Sequence, residues 1–256
     1  MTVILMHHDI IDPKSSKKTG FSGPGAELYK VGLAQFEEEL TELSAAFPGE
    51  PPGLAPQSPY ALTFDDGGAS AVDIVADVLA ARSFRAHFFI VTGVLGLPGF
   101  VQVSGLRRLL AAGHTIGTHT VTHAHRLTTW PYARIFREWN ESAERLRDLL
   151  GCPVTCGSIP GGYSNKAVRE AAMAAGLSQL FSSEPTTRRY ETEALQVYGR
   201  FPILSRDPAS AVVGLAKRAY ARRVKAWRWH ALGVAKNALG PVYPALREGL
   251  LRLRAS

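Results

Sequence analysis

Between residues 60 and 182 the chain alternates short, nearly all-apolar runs with stretches of helical periodicity, and this alternation limits the fold more than any other feature. Residues 60–64, 86–91, 114–117, 153–158 and 179–182 read as strands, and 71–82, 103–112, 130–150 and 166–175 as the helices between them. The long stretch 130–150 carries Ile135, Phe136, Trp139, Ala143, Leu146 and Leu150 at helical spacing, and Gly151 follows as a left-handed cap would. Strands apolar along their whole length need cover on both faces, so the pattern predicts a parallel sheet wrapped by helices. Upstream, residues 2–6 form a further β-branched run, and Val31, Leu33, Phe36, Leu40 and Leu43 recur close to helical spacing. The prolines of residues 48–59 forbid regular structure there. For 256 residues, a closed or nearly closed β/α barrel is expected over an open sheet.

Charge divides the chain unevenly. From Leu215 to Ser256 there are ten Lys or Arg and one acid, Glu248, for a net +9; the first 214 residues hold 19 basic and 21 acidic side chains, net −2. Residues 1–205 are therefore expected to form the barrel, and 206–256 a basic helical extension packing on it or projecting from it. No apolar run approaches the ~18 residues of a membrane span. The segment opening at Met1 lacks a basic region ahead of its apolar run, so a secretory signal is not expected. Cys152 and Cys156 are too few for a disulfide framework and, with no second pair to complete a zinc site, read as packing residues. Cytoplasmic location is the expectation.

In parallel β/α proteins the reactive groups sit where strands end. Three strand ends here carry unusual polar groups. Thr63-Phe64-Asp65-Asp66-Gly67 places two adjacent carboxylates at a terminus, one free to bind a metal and the other to face substrate; taken alone it reads first as an Asx turn closing a βα loop. Gly117-Thr118-His119-Thr120-Val121-Thr122-His123, with His125 beyond, puts two histidines at i and i+4 on one face of a helical turn, where they can share an ion or serve structure. Four of the eight histidines (His114, His119, His123 and His125) fall within twelve residues, which favours a site. Ser158-Ile159-Pro160-Gly161-Gly162-Tyr163 allows close backbone approach to a ligand, with N–H groups available to an oxyanion, or is simply a turn.

In combination, TFDDG, HTVTH roughly fifty residues later and SIPGGY on a following strand resemble the polysaccharide deacetylase family, the carbohydrate esterases with a NodB-like domain. The resemblance spans residues 2–202. It implies a distorted (β/α)7 barrel binding one divalent metal ion, zinc in first place, through Asp66, His119 and His123, with Asp65 as general base. Pro160, Gly161, Gly162 and Tyr163 would contact substrate, the Gly161 N–H holding the oxyanion.

Two family features are displaced. The third motif usually begins with an arginine that steadies the catalytic aspartate, and Ser158 stands there; Arg200, in Gly199-Arg200-Phe201-Pro202, is the candidate to supply that charge from elsewhere. The family's acid histidine usually lies in a late Leu-x-His motif, which His230 does not match. Ile4-Leu5-Met6-His7-His8-Asp9 instead resembles the opening segment of a branch whose histidine comes from the first strand, giving His8 as the acid ahead of His7, which otherwise stands in support, or neither a role. Residues 93–100, 138–142 and 180–185 resemble deacetylase-like proteins of bacterial surface-glycan clusters.

The expected function is therefore a metal-dependent hydrolase removing an N-acyl group, acetyl first, from an amino sugar in a surface glycan or lipid-linked precursor. Deformylation of a lipid-linked amino sugar is the alternative within hydrolases, and a degenerate carbohydrate-binding or assembly protein the alternative outside them. In the tail, Arg218, Arg222, Lys225 and Arg228 interleave with Tyr220, Trp227 and Trp229, suiting either an anionic membrane surface, hence peripheral association at the inner membrane face, or a solvated helix. Without a base-reading motif, nucleic acid is not an expected partner. Glu138 reads as a solvent-facing charge or a helix-to-loop hydrogen bond, with no catalytic role.

Overall fold

The computed structural model describes residues 2–54 and 58–239. Nine strands form one curled sheet: β1 (Val3–His7), β4 (Tyr60–Phe64), β5 (His87–Ile90), β6 (Thr115–Thr118), β7 (Cys156–Ser158), β8 (Gln179–Phe181), β9 (Arg189–Glu191), β10 (Gln196–Tyr198) and β11 (Phe201–Pro202). Their order is β11-β1-β4-β5-β6-β7-β8-β10-β9, parallel throughout except at the β10–β9 edge. A separate parallel pair, β2 (Asp9–Ile11) with β3 (Lys30–Gly32), branches off after β1. The helices are α1 (Pro24–Glu27), α2 (Leu33–Ala46), α3 (Ala76–Ala80), entered through a π-helical turn at Ala71–Val75, α4 (Val103–Ala111), α5 (Tyr132–Leu150), α6 (Lys166–Ala174), α7 (Ala209–Lys217) and α8 (Ala219–Leu239). The chain is thus an α/β fold whose curled half-barrel sheet has β11 and β9 at its edges, in keeping with the distorted, nearly closed β/α barrel expected.

Strand alternation sorts the core into two layers. Ile4, Ala61, Phe89, Cys156 and Phe181 pack together inside the curl of the sheet. Val3, Leu5, Leu62, Phe64, Phe88 and Ile90 face outward, where α2, α3, α4 and α7 cover them. Ile135, Trp139, Ala143 and Leu146 form the buried stripe of α5, each such large side chain contributing roughly 2 kcal/mol by leaving water. Gly151, at φ 66°, ends that helix in the left-handed region. Asn165 caps α6 by accepting a hydrogen bond from the Val168 N–H. Val212, Leu215 and Ala216 of α7 belong to the outer core, so the first part of the basic extension is a full member of the helix layer. The Gly240-Pro241 pair, where the sequence predicts a break of the tail into two helices, lies outside the described residues.

Candidate active site at the strand ends

Alternation also aims the reactive groups. Thr63 and Asp65 follow Ala61 on the inner face, so Asp65 emerges from β4 into the mouth of the curl. The next residue, Asp66, takes φ 72°, which turns its carboxylate toward the β6 loop instead of the outer layer. Among the described residues, Asp66, Thr120 and His123 are three of the four non-glycine residues with positive φ, a conformation that costs of order 1–3 kcal/mol each. Such strain persists only where surrounding bonds over-determine it, and here they do. Glu138 of α5, buried under the loop, accepts from the Val121 and Thr122 N–H groups and from the Thr122 hydroxyl, each at 2.9 Å. Ser142, one turn on, donates to the Thr120 carbonyl and accepts from the Thr118 hydroxyl.

The segment 119–123 is consequently a clamped loop, not the helical turn its i, i+4 histidines suggested. The two imidazoles still converge. One ligand atom each from Asp66, His119 and His123 lie within 4.8 Å of one another. His119 and His123 Nε2 stand 3.5 and 3.2 Å from Asp66 Oδ1, a buried oxygen with no hydrogen-bond partner. His119 Nδ1 donates to the Ser158 carbonyl at 2.8 Å, which fixes the tautomer and leaves Nε2 with its lone pair facing the cluster. Phe21 stacks on the His123 ring at 5.0 Å. Burial, followed by the neighbouring carboxylates Asp65 and Asp9, raises the Asp66 pKa well above the ordinary carboxylate value, while burial lowers those of His119 and His123. Three donors that fail to satisfy one another, two of them neutral imidazoles, match the donor set of a three-ligand divalent-metal site.

Arg200 arrives from the opposite end of the chain. It is fully buried just ahead of β11, and its guanidinium forks onto Asp65, Nη1 to Oδ1 and Nη2 to Oδ2, both at 2.7 Å. Nη2 also donates to the Ser158 hydroxyl at 2.7 Å, and that hydroxyl donates to Asp65 Oδ2 at 3.0 Å. Thr63 Oγ1 and the Ser182 carbonyl accept the remaining bonds. Burial by itself would push the Asp65 carboxyl up, but the guanidinium and His119 outweigh it and hold the group far below the usual range.

The two N-terminal histidines part company. His7 continues the outward face of β1: it donates to Glu39 of α2 at 2.9 Å and stacks on Phe64, so the structure does not bring it to the site. His8 lies on the site side, where Asp65, Arg200 and His119 act on it electrostatically. Its Nδ1 is buried without a partner, its ring rests on Tyr29 at 4.4 Å, and burial lowers its pKa to about 4. After β7, Pro160 and Gly162 are buried and Tyr163 is partly exposed beneath the Arg126 guanidinium. A Cβ on Gly161, at φ 68°, would lie 2.5 Å from the His125 carbonyl, so this glycine lets the β7 and β6 loops close together. The Gly162 N–H is committed to the Ile159 carbonyl at 2.9 Å and is not available to an oxyanion.

Over residues 54–180 the sequence matches the family described as Polysaccharide deacetylase. The chain belongs to the polysaccharide deacetylase family. Among curated members, it is 32% identical over 90 residues to the putative polysaccharide deacetylase YheN of Bacillus subtilis, covering 35% of this chain and 30% of that protein. It is 37% identical over 94 residues to a chitooligosaccharide deacetylase of Rhizobium leguminosarum, covering 36% of this chain and 40% of that one. In each the match spans less than half of the relative. Two solved structures share the fold: the deacetylase PplD of Streptococcus pyogenes (TM-score 0.67, 18% identity, 84% of this chain and 98% of that one) and IcaB from Ammonifex degensii (0.67, 19%, 86% and 97%).

Sequence reasoning overlooked Asp9 and Phe21 in this deacetylase-family site. Asp9 is buried, accepts from the Thr19 and Ser70 hydroxyls, and needs the bare Cα of Gly20 and Gly68 beside it. A carboxylate directly after two strand-end histidines was a usable signal. Phe21 lies in an irregular loop where no periodicity could single it out.

Proposed function

We propose that the chain is a metal-dependent hydrolase that removes an N-acyl group, acetyl first, from an amino sugar of a surface glycan or its lipid-linked precursor. The observation carrying this reading is the pairing of an unsatisfied Asp66–His119–His123 donor set with an adjacent carboxylate, Asp65, locked by a buried arginine. Family membership supports it, as does the naming of relatives as deacetylases of N-acetylated oligosaccharides.

Asp66, His119 and His123 would hold one divalent ion, zinc for this nitrogen-and-oxygen donor set, which would supply Lewis acidity and lower the pKa of water at the site. Asp65 takes a proton from that water, its oxygens aimed by the Arg200 fork and the Ser158 hydroxyl. His8, whose ring burial keeps neutral, relays to the departing nitrogen the proton that Asp65 took from the water, so that both groups return to their starting states. In balance, the water oxygen bonds to the carbonyl carbon, the C–N bond breaks, and free amine and carboxylic acid leave. Tyr163 and the turn at Pro160–Gly162 flank the sugar. Ser158 gives no support to a degenerate site, because Arg200 fills the charge position the serine vacates. A lipid-linked substrate would have to be met at a membrane surface.

Elemental analysis of purified wild type and His119→Ala, alongside amine release from N-acetylated chitooligosaccharides, tests this directly. About one ion per chain in the wild type, lost in the variant together with amine release, is expected. A wild type that holds no metal after reloading overturns the mechanism. Asp66→Ala should behave like His119→Ala, whereas Asp65→Asn should keep the ion and lose turnover.

A further inference from the structure

The basic extension is not a uniformly charged face. Arg222 turns inward and donates to the Leu215 and Ala216 carbonyls at the end of α7, at 2.7 and 3.2 Å, and Lys225 pairs with Asp207 at 2.6 Å. Both are spent on holding α8 against α7, with Ala221 meeting Gly214 between them. The outward face is different in kind. Tyr220, Val224, Trp227 and Ala231 fall at i, i+4, i+7 and i+11, one stripe of the helix, flanked by the exposed Arg223 and Arg228. Tyr220 is 78% and Trp227 70% exposed, the largest exposures among the big apolar side chains of the described residues. No Asp or Glu occurs from residue 208 to 239, although the first 214 residues are net acidic.

Direction matters as much as composition. Along α8 the partners move backward through α7, from the carbonyls at 215 and 216 to Asp207, so α8 returns toward the end where α7 begins. That end is the catalytic one: Asp207 lies just past β11, and Ile203 of the same connection donates to the Met6 carbonyl beside His7 and His8. Fourteen residues of helix, 226 to 239, follow Lys225, or about 20 Å at 1.5 Å per residue, which carries α8 beyond the α7 start.

We propose that the Tyr220–Val224–Trp227–Ala231 face of α8, with Arg223 and Arg228, docks on an anionic lipid bilayer and holds the mouth of the site toward that surface. Amphipathic aromatics suit the headgroup boundary, and cationic flanks draw the helix to anionic lipid. No described helix is long and apolar enough to cross a membrane, so α8 lies on the surface. The orientation toward substrate rests on the hydrolase reading; lipid binding does not.

The test is co-sedimentation of the full chain with phosphatidylcholine vesicles, with and without phosphatidylglycerol, alongside amine release from a soluble N-acetylated oligosaccharide. Binding only to the anionic vesicles, weakened by salt, is expected. Arg223→Gln with Arg228→Gln should reduce partitioning at least about tenfold, and Tyr220→Ser with Trp227→Ser should reduce it further, with soluble-substrate turnover unchanged. Equal binding to neutral vesicles, no binding, self-association in place of binding, or full binding by both double variants would each overturn the proposal. Loss of turnover with intact lipid binding would instead count against the hydrolase reading alone.

Discussion

Replacing Arg200 with methionine isolates the interaction on which the site is built. The wild-type guanidinium makes five hydrogen bonds inside the sheet, two of them charge-assisted to Asp65 at 2.7 Å. Methionine keeps an apolar stem of similar length but removes the guanidinium carbon that lies 5.5 and 6.0 Å from the Phe89 and Phe181 ring centroids. What remains is a buried Asp65 carboxylate with only the Ser158 hydroxyl as partner, and removing one member of a buried ion pair costs about 3–5 kcal/mol. Simple addition of the five bonds would overshoot that figure, because bringing the guanidinium into the core already cost much of their gross energy. Against a typical domain stability of about 5–15 kcal/mol, the variant should unfold at a distinctly lower urea concentration. Asp65→Asn removes the charge that needs compensating, so in the Asp65→Asn/Arg200→Met double variant the loss should fall about 2–4 kcal/mol short of the sum of the singles. Additive losses, or an unshifted urea midpoint for Arg200→Met, would refute the assignment of this pair as the anchor of the site.

Other variants probe neighbouring links. His8→Ala should retain the metal, measured by elemental analysis, and lose amine release; full turnover would remove His8 from the mechanism. Glu138→Gln keeps the side-chain shape but weakens the bonds to Val121 and Thr122, and should loosen metal affinity about tenfold in chelator competition, since outer partners of ligands carry effects of that size. His114, far from the ligands, accepts the Ala86 N–H through Nδ1, and burial followed by the Arg85 charge lowers its pKa from 6.5 to about 4. The unfolded chain then binds this proton first, so stability is lost as pH falls from about 6.5 to 4, by about 3 kcal/mol in total. His114→Gln, which can still accept from Ala86, should flatten that part of the pH–stability curve, and an unchanged slope would be the contrary result.

Legibility in the sequence followed the length and punctuation of each element. β4 matches the expected Tyr60–Phe64 because an unbroken apolar run meets Asp65-Asp66-Gly67, residues that cannot extend it. α5 begins at Tyr132, after Pro131 in extended conformation, and ends at Gly151 as expected, since both boundaries rest on backbone chemistry. β2, β3, β9 and β10 are not legible in the sequence, and β11 shows only as a strand start at Gly199-Arg200-Phe201-Pro202, because two or three residues are too few to display a period of two. The half-barrel edges were equally hidden: closure depends on which strands pair, and pairing is a long-range property.

The site was legible by residue type more than by conformation. His119 and His123 were chosen for a helical spacing, yet they converge through positive φ at Thr120 and His123 and a carboxylate donated by a distant helix. The arginine position shows how one buried charge can be supplied from a distant part of the chain. Ser158 on β7 and Arg200 ahead of β11 lie 42 residues apart, but both reach the Asp65 carboxylate, and their own contact is 2.7 Å. A curled parallel sheet makes this possible because its strand ends surround one small volume, so a charge can enter from any of several strands. Arginine has the reach and the fork for that substitution, while serine, too short to bridge alone, survives as the hydroxyl that braces both partners. The same geometry lets β1, beside β11 and β4, contribute His8 from the opposite end of the chain. Only the relation of strands around Asp65 is required, and that relation is invisible until the sheet curls.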